Sequence, residues 1–160
     1  MKTTVTAILL LVSVSVISAA DTEINASIKG FTLHWAKEYS QGKNFVFPRV
    51  TSQTEKKARI CVILKYNYPI TKASDGAPTD FAHENLGCEL FITTHEQGKQ
   101  IRFDGILNLS KLYRLRDPGT PIQKIITPFS GVIDSGGTAK IPTVSPDGKA
   151  ITLCLNIKKV

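Results

Sequence analysis

The chain has 160 residues, with 20 Lys and Arg against 13 Asp and Glu, so its formal net charge is +7. This length suits one domain that builds its own core without needing disulfides or metal. The positive balance favours acidic partners such as anionic glycans or a membrane surface, although ordinary solubility charge explains it equally well. Nucleic acid is not expected as a partner of an exported protein.

The N-terminal sequence predicts a cleaved signal peptide over residues 1–20. Lys2 precedes the apolar run Val5–Ile17, and small residues follow as far as Ala20. A membrane-spanning helix needs about 20 apolar residues, so this run of about 13 makes an N-terminal anchor the lesser alternative. Cleavage leaves a mature domain of residues 21–160 with a net charge of +6. We therefore expect a secreted or periplasmic, that is extracytoplasmic, protein.

Strand patterns dominate the first half of the mature chain. Ile24–Trp35 alternates apolar and polar residues, but its phase changes at Gly30, which predicts a bulge or a break into two strands. Phe45–Val50 contains a proline and is expected at a sheet edge. Ala58–Tyr66 is the strongest candidate for a buried strand. Asn67–Asn85 is rich in Pro, Gly, Ser and Asp, and we predict a long loop there.

The second half is typical of a meander. Leu86–His95 and Lys99–Phe103 flank a three-residue turn and predict a hairpin. Asp104–Gly105 then separates this hairpin from Ile106–Leu115, whose spacing favours a strand but also fits a helix. Near the C-terminus, Ala150–Ile157 is the most regular alternating strand of the sequence.

Short candidate strands and turns fill the remaining positions. Ile122–Thr127 and Phe129–Asp134 are predicted as separate strands because Pro128 lies between them. Turns are predicted at Ser135–Gly137 and Pro146–Gly148. The chain is therefore expected to be all-β, a single-domain antiparallel β-sandwich or barrel, Greek-key or immunoglobulin-like, with roughly eight strands.

The three cysteines suggest one disulfide and one unpaired thiol, because an exported chain normally pairs its cysteines. Cys61 lies in the buried-strand candidate, and Cys88 shares its face with neighbouring leucines. Cys154 shares its face with polar residues instead. We predict a Cys61–Cys88 disulfide with Cys154 unpaired. The alternative is that all three are small buried hydrophobic residues in a reducing host.

No catalytic or cofactor motif is present in the sequence. His34, His83 and His95 lack the spacing of metal ligands, and no metal site is expected. Asp80, His83 and Glu84 offer acid and base groups within the predicted loop, but such clusters are more often solvated loop polarity. The common Ser-hydrolase elbow, the P-loop and the dinucleotide-binding glycine pattern are all missing. We therefore expect neither enzymatic activity nor a cofactor.

Two basic clusters are candidates for binding anions. Lys111, Arg114 and Arg116 surround Tyr113, and such a group can hold acidic sugars through hydrogen bonds and stacking. Lys56–Arg59 precedes the buried-strand candidate in the same way. The alternative for both clusters is that charges protect the ends of strands from pairing with other chains.

The sequence favours an exported, non-enzymatic β-sandwich binding protein that recognises an anionic surface or glycan through its loops. A first alternative is an extracellular assembly subunit, a filament or surface protein that donates the strand Thr22–Gly30 to a neighbour. A second alternative is a carrier of an apolar ligand between the sheets. The partner is then a glycan, a membrane surface or another protein.

Overall fold

The computed structural model describes residues 21–72, 74–76, 78–112 and 122–160, so the predicted signal peptide lies outside the described residues. The described residues form ten strands and a short 3₁₀ helix, Lys37–Tyr39, and every strand pairing is antiparallel. The strands, in chain order, are β1 (Asp21–Lys29), β2 (Ser40–Gln41), β3 (Asn44–Val46), β4 (Val50–Gln53), β5 (Lys57–Lys72), β6 (Pro78–Gln97), β7 (Gln100–Leu112), β8 (Ile122–Asp134), β9 (Thr138–Val144) and β10 (Ala150–Lys159).

The first sheet contains six strands in the order β2-β3-β1-β10-β9, with β4 also pairing with β1. β1 runs antiparallel to β10 from Thr22 opposite Lys159 to Lys29 opposite Thr152. The first strand of the domain is therefore central in its own sheet, with β10 on one side and β3 and β4 on the other. This arrangement does not match the alternative in which Thr22–Gly30 is donated to a neighbouring molecule.

The second sheet contains the four long strands β5-β6-β7-β8 in chain order. They have 13 to 20 residues, against about five or six in an average strand. Consecutive strands of this sheet are neighbours, which is the order of a meander. The Greek-key order, one of the predicted arrangements, is not found in this sheet. β5 and β8 lie at its two edges within the described residues.

The core lies between the two sheets, which confirms the predicted antiparallel sandwich. Alternate residues of β1 and β10 point inward, and the same alternation runs along the paired part of β5, β6 and β7. A buried hydrogen bond between Thr22 Oγ1 and Thr94 Oγ1, 2.9 Å long, joins the sheets. The largest fully buried side chains are Phe45, Phe103, Ile24, Ile28, Leu90, Ile92, Ile101, Leu107, Leu109, Leu153, Leu155 and Ile157.

Several local predictions are confirmed. β1 ends at Lys29, and Gly30 follows with a φ of 81°, a conformation that glycine adopts without strain. The turn at Ser135–Gly137 connects β8 to β9. In the turn between β9 and β10, the hydroxyl of the buried Ser145 accepts a hydrogen bond from the Lys149 N–H, and the Ser145 backbone N–H donates one of 2.8 Å to the Lys149 carbonyl.

The predicted loop over Asn67–Asn85 is wrong for most of its length, because the two arms of a hairpin occupy it. β5 continues to Lys72 and β6 begins at Pro78. Tyr66 pairs with Glu84 and Tyr68 with Ala82. The side chains of residues 65–68 and 80–85 are exposed or half-buried on both faces, so this part of the sequence does not show the alternation of a strand with one buried face.

The predicted breaks at Asp104–Gly105 and Pro128 are also wrong. β7 runs through Gly105, where a Cβ atom would lie 2.2 Å from the carbonyl oxygen of Phe91 and 2.5 Å from the Phe129 ring. Glycine is required there by close packing rather than by a turn. Pro128 lies within β8, which tolerates proline because it is an edge strand.

The predicted Cys61–Cys88 disulfide is not formed, and the strand register gives the reason. Cys61 pairs with Glu89, whereas Cys88 pairs with Val62. The two cysteines are one register position apart, so their side chains point to opposite faces of the sheet. All three cysteines, Cys154 included, are free thiols; Cys88 and Cys154 are buried and Cys61 is half-buried.

Candidate functional site

The most distinctive surface is the outer face of the second sheet, which is the face turned away from the core. The register places Arg59 of β5, Phe91 of β6, Ile106 of β7 and Pro128 of β8 in one row across this face. The rows on either side follow at every second residue, since alternate residues share a face. The outer face therefore combines basic groups on β5 with apolar groups on β8.

Basic side chains cover the aromatic ring of Phe91. Lys57 Nζ lies 5.0 Å from the ring centroid and Arg59 Cζ lies 5.6 Å from it, within cation–π range. Arg59 also donates a 2.5 Å hydrogen bond to Glu89 Oε1, which is the main cause of the raised pKa of its guanidinium. Arg59 therefore already interacts with two side chains of β6, Glu89 and Phe91.

A concave region with a volume of about 820 Å³ lies on the outer face, towards the hairpin arms. Its lining includes Ile63 and Lys65 of β5, Asn85 of β6, Asn108 of β7 and Ile126 of β8. All four strands thus contribute to it. The region lies outside the sandwich, not between the sheets where an apolar-ligand carrier would hold its ligand.

Gly87 leaves the middle of this region without a side chain. Its φ is 134°, and a Cβ atom would lie 2.2 Å from the carbonyl oxygen of Val62. The Ser110 hydroxyl accepts a 3.0 Å hydrogen bond from the Gly87 N–H and donates one of 3.0 Å to the Asn85 carbonyl. Ser110 therefore holds the irregular backbone at Gly87 in place.

Most charged groups around the concave region are paired with each other. Lys124 Nζ donates to Glu84 Oε2 at 2.5 Å, which links β8 to β6 across β7. His83 Nδ1 donates to Asn67 Oδ1 at 2.5 Å. By contrast, Asn108 Oδ1 is buried and has no hydrogen-bond partner among the described residues.

β8 exposes apolar side chains at the edge of the sheet. Ile126 is 67% exposed and Val132 is 49% exposed, and Ile106 of the neighbouring strand is exposed beside them. A 2.5 Å hydrogen bond between Thr127 Oγ1 and Thr143 Oγ1 links β8 to β9 of the first sheet. The edge of β8 itself pairs with no further strand within the described residues.

At the opposite end of the sheet, His95 connects the second sheet to the turn that leads out of the first sheet. Its Nδ1 lies 2.6 Å from Glu55 Oε2, in the turn that leads from β4 to β5, and its Nε2 lies 3.0 Å from Asp104 Oδ1 on β7. An ionised carboxylate only accepts hydrogen bonds, so both ring nitrogens carry protons. The hydrogen bonds with Asp104 and Glu55 accordingly raise the pKa of His95 above its ordinary value of 6.5.

The residues of the predicted anion site are only partly described. Lys111 is exposed near the end of β7. Asp147 has a lowered pKa, mainly because of its hydrogen bond with Ser145 and to a smaller extent because of the charge of Lys111. Tyr113, Arg114 and Arg116 lie outside the described residues. The described basic side chains that do contact an aromatic ring are Lys57 and Arg59, from the second cluster.

The structure brings together no catalytic group from the sequence candidates. Asp80, His83 and Glu84 all lie on β6, where Asp80 accepts a hydrogen bond from the Phe81 N–H. Burial raises the pKa of Cys61, and that of Cys88 much more, so both thiols are protonated at neutral pH. Among the described residues no group of three or more His, Cys, Asp or Glu is arranged to hold a metal ion.

Sequence reasoning did not identify Phe91 or Glu55 as notable. Phe91 lies on a predicted strand, where an apolar residue carries no signal of its own. Glu55 has a positive φ of 65°, which is uncommon for a residue other than glycine, but the sequence does not reveal it. Their roles depend on which strands lie side by side.

No family model matches the chain, and no curated protein matches it. Two solved structures have a similar fold. The InvG secretin domain β-barrel of the Salmonella SPI-1 injectisome superposes with a TM-score of 0.55 and 8% identity, over 90% of this chain and 64% of that chain. The type II secretin GspD of enteropathogenic Escherichia coli gives 0.54 and 8%, over 90% and 70%.

The chain thus spans about two thirds of the length of these secretins and shares their β fold. An identity of 8% shows the fold and nothing beyond it. In the part of the chain that the structure describes, no helix is long and apolar enough to cross a membrane.

Proposed function

We propose that the mature chain is a non-enzymatic, extracytoplasmic assembly subunit that associates with further copies of itself through the edge of β8. The single observation that carries this proposal is the long apolar edge strand β8, which pairs with no further strand within the described residues. The likeness to secretin domains, one of them named as part of an injectisome, supports a role in an assembly. The N-terminal sequence pattern supports export.

An open edge strand presents unpaired backbone N–H and C=O groups to any neighbouring strand. Natural edges are usually protected by lysines or prolines. β8 has Pro128 near its middle, and the charge of Lys124 is neutralised by Glu84. The stretches on either side of Pro128 carry the exposed Ile126 and Val132.

The two edges of the sheet differ in their protection. On β5 the outward residues include Lys57, Arg59 and Lys65, which keep that edge soluble. β8 carries only one lysine, Lys124, and exposes Ile126 and Val132 instead, so it gains most from being covered. If β8 meets β8 of a second copy, a closed dimer forms, whereas pairing of β8 with β5 gives larger rings or chains.

The test is the oligomeric state of the mature chain purified after export, measured by sedimentation velocity and native mass spectrometry over a range of concentrations. We expect oligomers that grow with concentration. The double substitution Ile126→Lys and Val132→Lys is expected to shift them to monomer, because it places charges on the edge that must be buried.

Val160→Lys is the matched control, since it also replaces an exposed branched apolar residue, at 73% exposure, but lies at the C-terminus beyond β10. It should leave the oligomers unchanged. A wild-type protein that stays monomeric up to about 1 mM, the weakest association of practical interest, would refute the proposal. So would a double variant that assembles as well as the wild type.

A further inference from the structure

We infer that the concave region of the outer face is a binding site for a neutral oligosaccharide. This activity goes beyond self-association, and apart from Ile126 it rests on different groups. It uses the side chains of Asn85, Asn108 and Lys65 on the outer face, not the backbone edge of β8.

The distribution of charge argues for a neutral ligand. The charged side chains at the region are paired: Lys124 with Glu84, and Glu89 with Arg59, each at 2.5 Å. Binding a phosphate or sulfate group at Lys124 or Arg59 would require breaking one of these pairs. Among the described lining residues the remaining cation is Lys65, a single exposed lysine with three N–H donors to offer to hydroxyl groups.

An unsatisfied acceptor argues for a ligand that donates hydrogen bonds. Asn108 Oδ1 is buried at the site without a partner among the described residues. Leaving a buried acceptor unpaired is unfavourable, and native proteins rarely retain one without a reason. A sugar hydroxyl both donates and accepts, so it satisfies the carbonyl and the amide of an asparagine side chain equally well.

The spacing of the free amides argues for an extended ligand. Asn85 and Glu89 are four residues apart on β6, and Asn108 pairs with Glu89. At about 3.3 Å per residue along a strand, the row that contains Asn85 and the row that contains Asn108 are about 13 Å apart. Gly87 lies between them without a side chain, and Ile63 and Ile126 provide apolar surface for the C–H faces of sugar rings. The site therefore fits a short oligosaccharide better than a single sugar.

The test is a nuclear magnetic resonance titration of the ¹⁵N-labelled mature chain with chitotetraose, cellotetraose and maltotetraose, each up to about 10 mM, which covers millimolar dissociation constants. We expect at least one of these sugars to produce saturable shifts of the side-chain amides of Asn85 and Asn108. Absence of such shifts with all of them would overturn the inference. So would tighter binding of a sulfated heparin tetrasaccharide at the same residues.

Asn108→Leu separates a binding role from a structural one. We expect this variant to bind the sugar at least about tenfold more weakly, while its melting temperature stays the same or rises, because the unpaired acceptor is gone. Lys65→Ala should also weaken binding, and Lys140→Ala, an exposed lysine of the first sheet, should not. If Asn108→Leu lowers the melting temperature, or leaves binding intact, Asn108 is a structural residue and the inference fails.

Discussion

β1 and β8 both carry branched apolar residues, yet the protein uses the two strands differently. β1 lies between two neighbours of the first sheet, and Ile24 and Ile28 are completely buried there. β8 lies at the edge of the second sheet, where Ile126 and Val132 point to solvent. The comparison teaches that the face to which a side chain points decides its use. Inward residues such as Ile24 on β1 and Phe129 on β8 stabilise the domain, whereas outward residues such as Ile126 are free to contact another molecule.

The same contrast decides which part of the chain is available for assembly. Removing β1 would separate β10 from β3 and β4 and open the core, so the N-terminal strand is a structural element. β8 contributes its inward residues to the core and keeps its outward residues free. Assembly through β8 therefore costs the subunit none of its own packing.

The largest expected effect tests this contrast directly. Ile28→Ala should destabilise the mature chain by about 2–5 kcal/mol, because it leaves a cavity in the core. Ile126→Ala should change the free energy of unfolding by less than about 0.5 kcal/mol, as for most exposed positions. Urea unfolding at low protein concentration measures both values. Equal losses at the two positions would contradict the structural difference between the strands.

A smaller effect is expected where the two sheets are joined by His95. Its pKa is raised in the folded protein, so the stabilisation is fully present below the unfolded value of about 6.5 and is lost as the pH rises through the folded value. Arg102 is the cross-strand partner of His95, and Glu55 and Asp104 supply the oxygens that accept its two hydrogen bonds.

Thermal unfolding of the wild type and His95→Gln between about pH 5 and pH 9 measures this effect. The wild type should be more stable at the acidic end, and the two curves should converge at the alkaline end. His83→Gln is the control, because His83 hydrogen-bonds to an amide rather than to carboxylates. A difference between wild type and His95→Gln that does not depend on pH would show that the imidazolium does not join the sheets.

The smallest effect concerns the basic cluster at the end of β7, which remains a prediction. Replacing Lys111, Arg114 and Arg116 by Ser should lower the salt concentration at which the protein elutes from heparin, because screening weakens exposed ion pairs. A control variant with the same change in charge replaces three exposed lysines of the first sheet and its loops, Lys29, Lys43 and Lys140. Equal shifts for both variants would assign the binding to net charge alone.

Sequence reasoning succeeded where one face of a strand is buried. Ala150–Ile157 alternates clearly, and Ile151, Leu153, Leu155 and Ile157 are all buried. It failed at Asn67–Asn85, where proline and glycine suggested a loop and where residues 67–68 and 80–85 are at least partly exposed on both faces of the hairpin arms. It also failed at Gly105, because a glycine required by packing looks in sequence like a glycine required by a turn.

The sequence by itself determined the β class and which residues of each strand share a face, because the pleat of a strand repeats every two residues wherever the strand lies. The tertiary structure alone decided the register between strands, which places Cys61 and Cys88 on opposite faces. It also decided that β1 is central and β8 is at an edge, and that Asn85 and Asn108 frame a bare glycine. These relations join residues far apart in the chain, and no local pattern encodes them because they depend on which strands become neighbours when the sheets close around the core.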